Sequence, residues 1–244
     1  FHDAGGESAL LLIHGFGSYP GVMDELVGQV RDIGISVSVP RLPGHGTCSE
    51  DFVASRGRDW YRRVLDEYFD LRGNYRRLFV SGLSLGGILA LMLAGAHRIE
   101  GLILMAPAVL NTNRFILFAP VARHFIRSVA NTYDPQGQDM SDPDVRYLAD
   151  EYWSRRWIGP AAEVLRVQRA SRRALRRVSA PCFTIVSERD TTVPPTVARY
   201  IERRIASTAY SSVVLKESKH QLVTDCEKEE VNRLVVEKLR SWTE

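Results

Sequence analysis

Ser84 lies in Gly82-Leu83-Ser84-Leu85-Gly86, with Gly87 behind it. A serine hydroxyl is a weak nucleophile until a base takes its proton. The surroundings suit that chemistry. The apolar run before Ser84 predicts a buried strand, and the run after it predicts a helix. A strand-to-helix turn this sharp is crowded, and Gly82 and Gly86 relieve the crowding. Leu85 then opens the helix with an N–H that has no intrahelical partner. Such an N–H, at the positive end of a helix, can hold a developing oxyanion. The ordinary alternative is a glycine-rich turn with an incidental serine, and the strand before and helix after weigh against it.

The serine needs a base. Of the six histidines, His220 follows the last apolar strand, where a loop can return to the sheet edge. His14 and His45, in "HGFG" and "PGHG", suit local structural hydrogen bonding. His2, His97 and His124 have no neighbours that suggest chemistry. The base in turn needs an acid to fix its tautomer. Asp190 in "CFTIVSERDTTVPP" lies just past a strand end, with Glu188 and Asp225 as runners-up. A turn-forming aspartate is the plain alternative for Asp190. Asp225 is too near His220 in sequence to reach it from the neighbouring strand. A second oxyanion donor is expected from "LLLIHGFGS", where His14-Gly15 turns the chain and frees the backbone N–H of Phe16. A phosphate loop is excluded there, because neither G-x-G-x-x-G nor G-x-x-x-x-G-K-[ST] occurs.

These residues need a scaffold. Strands are expected at 9–14, 36–40, 77–82, 101–106, 182–187 and 211–217, several of them apolar on both faces. Helices are expected at 23–33, 60–72, 85–97, 196–206 and 228–242. The alternation predicts an α/β fold with an open, mostly parallel central sheet flanked by helices. No good strand is expected between Pro107 and Pro181. That interval holds the apolar 114–127, the polar 131–144 and a helix at 161–178. The helix turns Val164, Val167, Ala174, Leu175 and Val178 inward and its arginines to solvent. The chain is expected to be one domain, 1–244, with a helical cap inserted at about 108–180.

Composition narrows the class. The chain has 244 residues, 45 % hydrophobic and 25 % charged, enough for one large core. A net charge of +3 is too small to argue for a nucleic-acid partner. Cys48, Cys182 and Cys226 have no metal-like spacing, and their odd number argues against a disulfide framework. No stretch is long enough to span a bilayer. The cysteine count makes a reducing cytoplasm the expected location, and no secretion signal opens the chain. The start at Phe1 leaves room for a leader removed from a precursor.

The segments "GESALLLIHGFGSYPGVMDELVGQVRDIGISVSVPRLPGHGT", "DWYRRV", "VSGLSLGGILALMLA", "VSAPCFTIVSERDTTVPP" and "ESKHQLVTDCEKEEV" together resemble the small bacterial carboxylesterases and monoacylglycerol lipases of the α/β-hydrolase superfamily. The resemblance covers nearly the whole chain and is weak only in the cap. It implies the α/β-hydrolase fold, and the order Ser84, Asp190, His220 matches its triad order. By that resemblance Ser84 is the nucleophile, Asp190 the acid and His220 the base. The Phe16 and Leu85 amides form the oxyanion hole. The resemblance also implies hydrolysis of short- to medium-chain acyl esters without a cofactor. The expected activity is that of a serine carboxylesterase, with monoacylglycerols among its substrates. Apolar tails need apolar walls, and Phe115 and Phe118 in the cap are the expected acyl contacts. A thioesterase or amidase would use the same triad. A ligand-binding protein on this fold would not, and covalent labelling of Ser84 by a fluorophosphonate separates it from an enzyme.

Overall fold

The computed structural model describes residues 1–132 and 139–243; of Arg114, Phe115 and Tyr152 it describes the backbone alone. In chain order the elements are β1 (Ser8–Ile13), α1 (Asp24–Arg31), β2 (Ser36–Ser38), α2 (Ser49–Ala54), α3 (Gly57–Asn74), β3 (Arg77–Leu83), α4 (Leu85–Ala94) and β4 (Gly101–Met105). Then follow α5 (Ala119–Ala122), β5 (Ser128–Ala130), α6 (Pro143–Leu148), β6 (Arg155–Trp157) and α7 (Ile158–Ala174). The chain ends with β7 (Cys182–Ser187), α8 (Thr196–Glu202), β8 (Tyr210–Leu215) and α9 (Lys228–Thr243).

Six strands form one sheet in the order β2-β1-β3-β4-β7-β8, and every neighbouring pair is parallel. Side-chain alternation divides the core in two. Ala9, Leu11 and Ile13 of β1 join Trp60, Val64, Ile88 and Val167 beneath α3, α4 and α7. Leu10 and Leu12 face the other way, joining Met23, Leu26, Val30 and Leu239 beneath α1 and α9. In α9 alone, Val231, Val235 and Leu239 are fully buried, each contributing roughly 1.5–3 kcal/mol by leaving water. α4 is buried on nearly all sides, which fits its uniformly apolar sequence.

The expected strands all form, within two residues at each end. Helices 85–97 and 196–206 stop earlier, at Ala94 and Glu202. The helix expected at 161–178 starts earlier, at Ile158, and its last turn, Leu175–Arg177, tightens to a 3₁₀ form. Its inward residues Val164, Val167, Ala174, Leu175 and Val178 are all buried. The arginine stripe is not wholly solvated: the Nε of Arg172 donates to Val109 O at 2.8 Å and that of Arg177 to Gly95 O at 3.0 Å.

One expectation fails. The interval between Pro107 and Pro181 does contain strands, since β5 and β6 pair as a two-stranded antiparallel ribbon. Each has three residues, and Val129, Ala130, Arg155 and Arg156 are exposed. With one buried residue between them, no apolar alternation marks them. Part of the polar stretch, 133–138, lies outside the described residues.

Candidate active site

β3 delivers Ser84 from the middle of the sheet. The residue is held at φ 54°, ψ −109°, a conformation that costs a non-glycine residue energy and needs support around it. Support comes from both sides. Ser84 N–H donates to Met105 O at 2.9 Å, and Ser84 O accepts from Ala108 N at 3.1 Å and Ile88 N at 3.3 Å. The glycines are required by contact. A Cβ on Gly86 would overlap the carbonyl oxygens of Ile13 and His14, and one on Gly82 would overlap the backbone of Gly86 and Gly87.

β7 and β8 deliver the partners. His220 Nε2 is 2.8 Å from Ser84 Oγ, and His220 Nδ1 is 2.7 Å from Asp190 Oδ2. The other Asp190 oxygen accepts from the N–H groups of Thr192 and Val193 at 2.7 and 2.9 Å. The Asp190 side chain is 1 % exposed and that of His220 14 %. With a carboxylate oxygen as its partner, Nδ1 is the nitrogen placed to donate, which leaves Nε2 to accept from the serine hydroxyl. The runners-up are elsewhere. Glu188 is exposed and pairs with Lys216 Nζ at 2.5 Å. Asp225 accepts from Lys219 N at 2.6 Å and Cys226 N at 2.8 Å.

The β1–α1 loop passes next to the serine. A Cβ placed on Gly15 would lie 3.7 Å from Ser84 Cβ. Ser18 N–H closes a turn onto Gly15 O at 3.3 Å, and Gly17 at its third position has φ +70°, which favours glycine. Among the described residues, neither the Phe16 nor the Leu85 N–H donates to a protein acceptor, so both amides are available beside Ser84. The Phe16 ring packs 5.1 Å from Phe52 and 6.0 Å from Trp60 and His45, which fixes its backbone.

His14 and His45 build this loop. Leu42 N–H donates to His14 Nε2 at 3.1 Å, so Nδ1 carries the proton and donates to Gly15 O at 3.0 Å. His45 Nδ1 donates to Pro43 O at 3.1 Å. Burial pushes the His14 pKa down to about 4 and, with His14 beside it, that of His45 down to about 3. Both are neutral side chains of structure. His2 pairs with the Val37 backbone, His97 packs against Tyr68 and Phe69, and His124 is exposed.

The interval between β4 and β7 meets the same loop. Trp153 Nε1 donates to Gly17 O, and the Trp153 ring lies 6.4 Å from Tyr19. Glu151 accepts from Ser49 N and Ser49 Oγ, both at 2.8 Å. None of these contacts is visible in local sequence. Phe118 is 66 % exposed, and the Phe115 side chain lies outside the described residues.

A sharp serine turn is met by a histidine and an aspartate from successive strand ends, and a family model, described as the alpha/beta hydrolase family, matches residues 10–234. The chain belongs to the alpha/beta hydrolase family. Within it, the chain is 33 % identical over 229 residues to the thermostable monoacylglycerol lipase of Bacillus sp. (strain H-257), covering 92 % of this chain and 87 % of that one. It is 33 % identical over 106 residues to a carboxylesterase of Bacillus subtilis (strain 168), covering 43 % of each. Solved alpha/beta hydrolase structures share the fold. A metagenome-derived lipolytic enzyme superposes with a TM-score of 0.88 at 23 % identity, over 99 % of this chain and 96 % of that one. The monoacylglycerol lipase of Paleococcus ferrophilus does so with 0.78 at 22 % identity, over 96 % and 94 %.

Proposed function

We propose that this chain is a serine carboxylesterase acting on short- to medium-chain carboxylic esters, monoacylglycerols among them. The observation that carries the reading is the unbroken line from Asp190 through His220 to Ser84, ending beside two open amides. The Bacillus monoacylglycerol lipase, matched over most of both chains, supports the substrate class.

Ser84 Oγ attacks the ester carbonyl carbon while His220 Nε2 takes its proton. The carbonyl oxygen becomes an oxyanion held by the Phe16 and Leu85 N–H groups. Asp190 stabilises the imidazolium. As the intermediate collapses, the C–O bond to the alcohol breaks and Nε2 gives that oxygen its proton. The acyl-enzyme is then attacked by a water that His220 deprotonates. The proton passes to Ser84 Oγ as the acid leaves.

In this reading 108–180 is a cap over the site. Its contacts through Trp153 and Glu151 to the β1–α1 loop and α2 support that role. The acyl chain runs toward the apolar side chains of 114–126, where Phe115 and Phe118 are its proposed contacts. The three cysteines are free, which supports a reducing compartment. Among the described residues no helix is long and apolar enough to cross a membrane.

A fluorophosphonate probe with mass mapping, followed by p-nitrophenyl esters of rising acyl length, tests the reading. Labelling at Ser84 and an optimum at short to medium chains are expected. An unlabelled serine would sink it in favour of a ligand-binding protein. Higher kcat/KM on matched thioesters or amides would shift it to those classes.

A further inference from the structure

His220 stands in the loop between β8 and α9, and β8 is the edge strand of the sheet. Of its six residues, Ser211, Ser212 and Val214 are exposed, Tyr210 and Val213 are partly so, and Leu215 is buried. The loop is buried on both sides of His220, at Ser218 before it and at Leu222 and Val223 after it, and the backbone leading into it needs a fixed course if the imidazole is to stay within hydrogen-bond reach of Ser84.

The fixing comes from Glu227. Its carboxylate gathers three consecutive backbone N–H groups: Lys216 at 3.2 Å on Oε1, and Glu217 at 3.0 Å and Ser218 at 2.7 Å on Oε2. The grip is reciprocal, because Glu227 N–H donates to Ser218 Oγ at 3.2 Å. Ser218 is fully buried. Its carbonyl accepts from Ser187 Oγ at the end of β7, and that oxygen accepts in turn from Arg189 N at 3.3 Å, next to Asp190. Glu227 is itself tied to α9, since its carbonyl accepts from Val231 N at 3.0 Å. Val231 belongs to the apolar face that α9 buries against the sheet.

The residue type matters. Three donors converge on two oxygens, which suits an ionised carboxylate and the stronger bonds it accepts. Burial works to raise its pKa, but the N–H groups of Ser218, Glu217 and Lys216 more than offset this and hold it below the ordinary glutamate range. A glutamine can meet the donors with one oxygen only and turns its own N–H₂ toward the rest.

We propose that Glu227 is a positioning residue for the reaction: by clamping backbone 216–218 to α9 and to the acid loop, it holds His220 Nε2 on Ser84 Oγ. The proposal rests on the reading of Ser84 and His220 as the working pair. It also distinguishes Glu227 from a residue that only stabilises the fold.

The test compares Glu227→Gln and Ser218→Ala with Glu230→Gln, whose side chain bonds to Arg233 on the face of α9. Turnover of p-nitrophenyl butyrate and the rate of fluorophosphonate labelling are measured well below each variant's melting temperature. Glu227→Gln should lower both kcat and labelling rate by about 10- to 100-fold, as displacement by about 1 Å does, with KM within about twofold. Labelling should still run to completion, and the low-field proton resonance of the His220–Asp190 bond should broaden or vanish. Ser218→Ala should act in the same direction more weakly, and Glu230→Gln should change none of these. A Glu227→Gln protein with wild-type kcat and labelling rate overturns the proposal, even if it melts earlier. If Glu227→Gln does not fold, Ser218→Ala decides by the same measures. If the wild-type chain itself takes no label at Ser84, the functional reading falls first, and the two failures are told apart.

Discussion

Ser84 Oγ lies 2.8 Å from His220 Nε2 although 136 residues separate them in the chain. Two side chains so far apart in sequence meet at that distance because each leaves the same end of the sheet. β3 ends in a turn too tight for any side chain at 82 or 86, and β8 ends in a loop clamped to α9.

Ser84→Ala and His220→Ala should each abolish ester turnover, by on the order of 10⁴- to 10⁶-fold, without unfolding the chain. The double variant should be no worse than the poorer single one, since the two groups act as a unit. Steady-state rates with circular dichroism check this. A His220→Ala enzyme of near-normal rate would mean that the base is another residue.

Asp190→Asn should keep the geometry and lose on the order of 10⁴-fold in turnover, because an amide favours the wrong imidazole tautomer. Glu188→Gln should be close to neutral, since Glu188 is an exposed partner of Lys216. The two rates measured side by side test the assignment, and the reverse ranking would overturn it.

Gly86→Ala should destabilise the fold by about 3 kcal/mol or more, because its methyl group would meet fixed backbone carbonyls. Gly87→Ala should cost less, about 1 kcal/mol, since its nearest new neighbour is Pro107 Cβ at 3.0 Å. Urea denaturation of both variants gives the comparison. Equal losses would mean that the turn relaxes more readily than its packing implies.

Much of this arrangement is legible in sequence. The strands are apolar on both faces, and their ends point to Ser84, Asp190 and His220, which the fold brings within hydrogen-bond distance. The rest depends on partners remote in the chain. Glu227 looks like an ordinary acidic residue ahead of a helix, and only the return of 216–218 gives it three donors. Trp153 looks like one more aromatic of the interval between β4 and β7 until its indole meets Gly17. For Phe118, a proposed acyl contact whose ring is largely exposed, apolar character alone does not separate a channel wall from surface.

Acid should unfold the protein through its buried histidines. His14 and His45 have folded pKa values of about 4 and about 3, below the unfolded value near 6.5. Below pH 6.5 the unfolded chain therefore binds protons that the folded chain refuses, and stability falls as pH drops toward those values. Above pH 6.5 these two groups contribute no slope. His45→Phe removes one of these protons and the His45 Nε2 atom, which has no partner among the described residues. The variant should show a shallower decline of Tm between pH 6.5 and 4.5. An unchanged slope would mean that other groups govern the acid limit.

The order of strands in the sheet also sets an order in time. The strand that leads into Ser84 and its neighbour β4 come early in the chain, yet Asp190 and His220 follow β7 and β8, the last two strands on that side of the sheet. In the proposed mechanism, a chain made only as far as β4 therefore carries the serine turn without the two side chains that would activate it, and His220 is made 115 residues after Met105 closes β4.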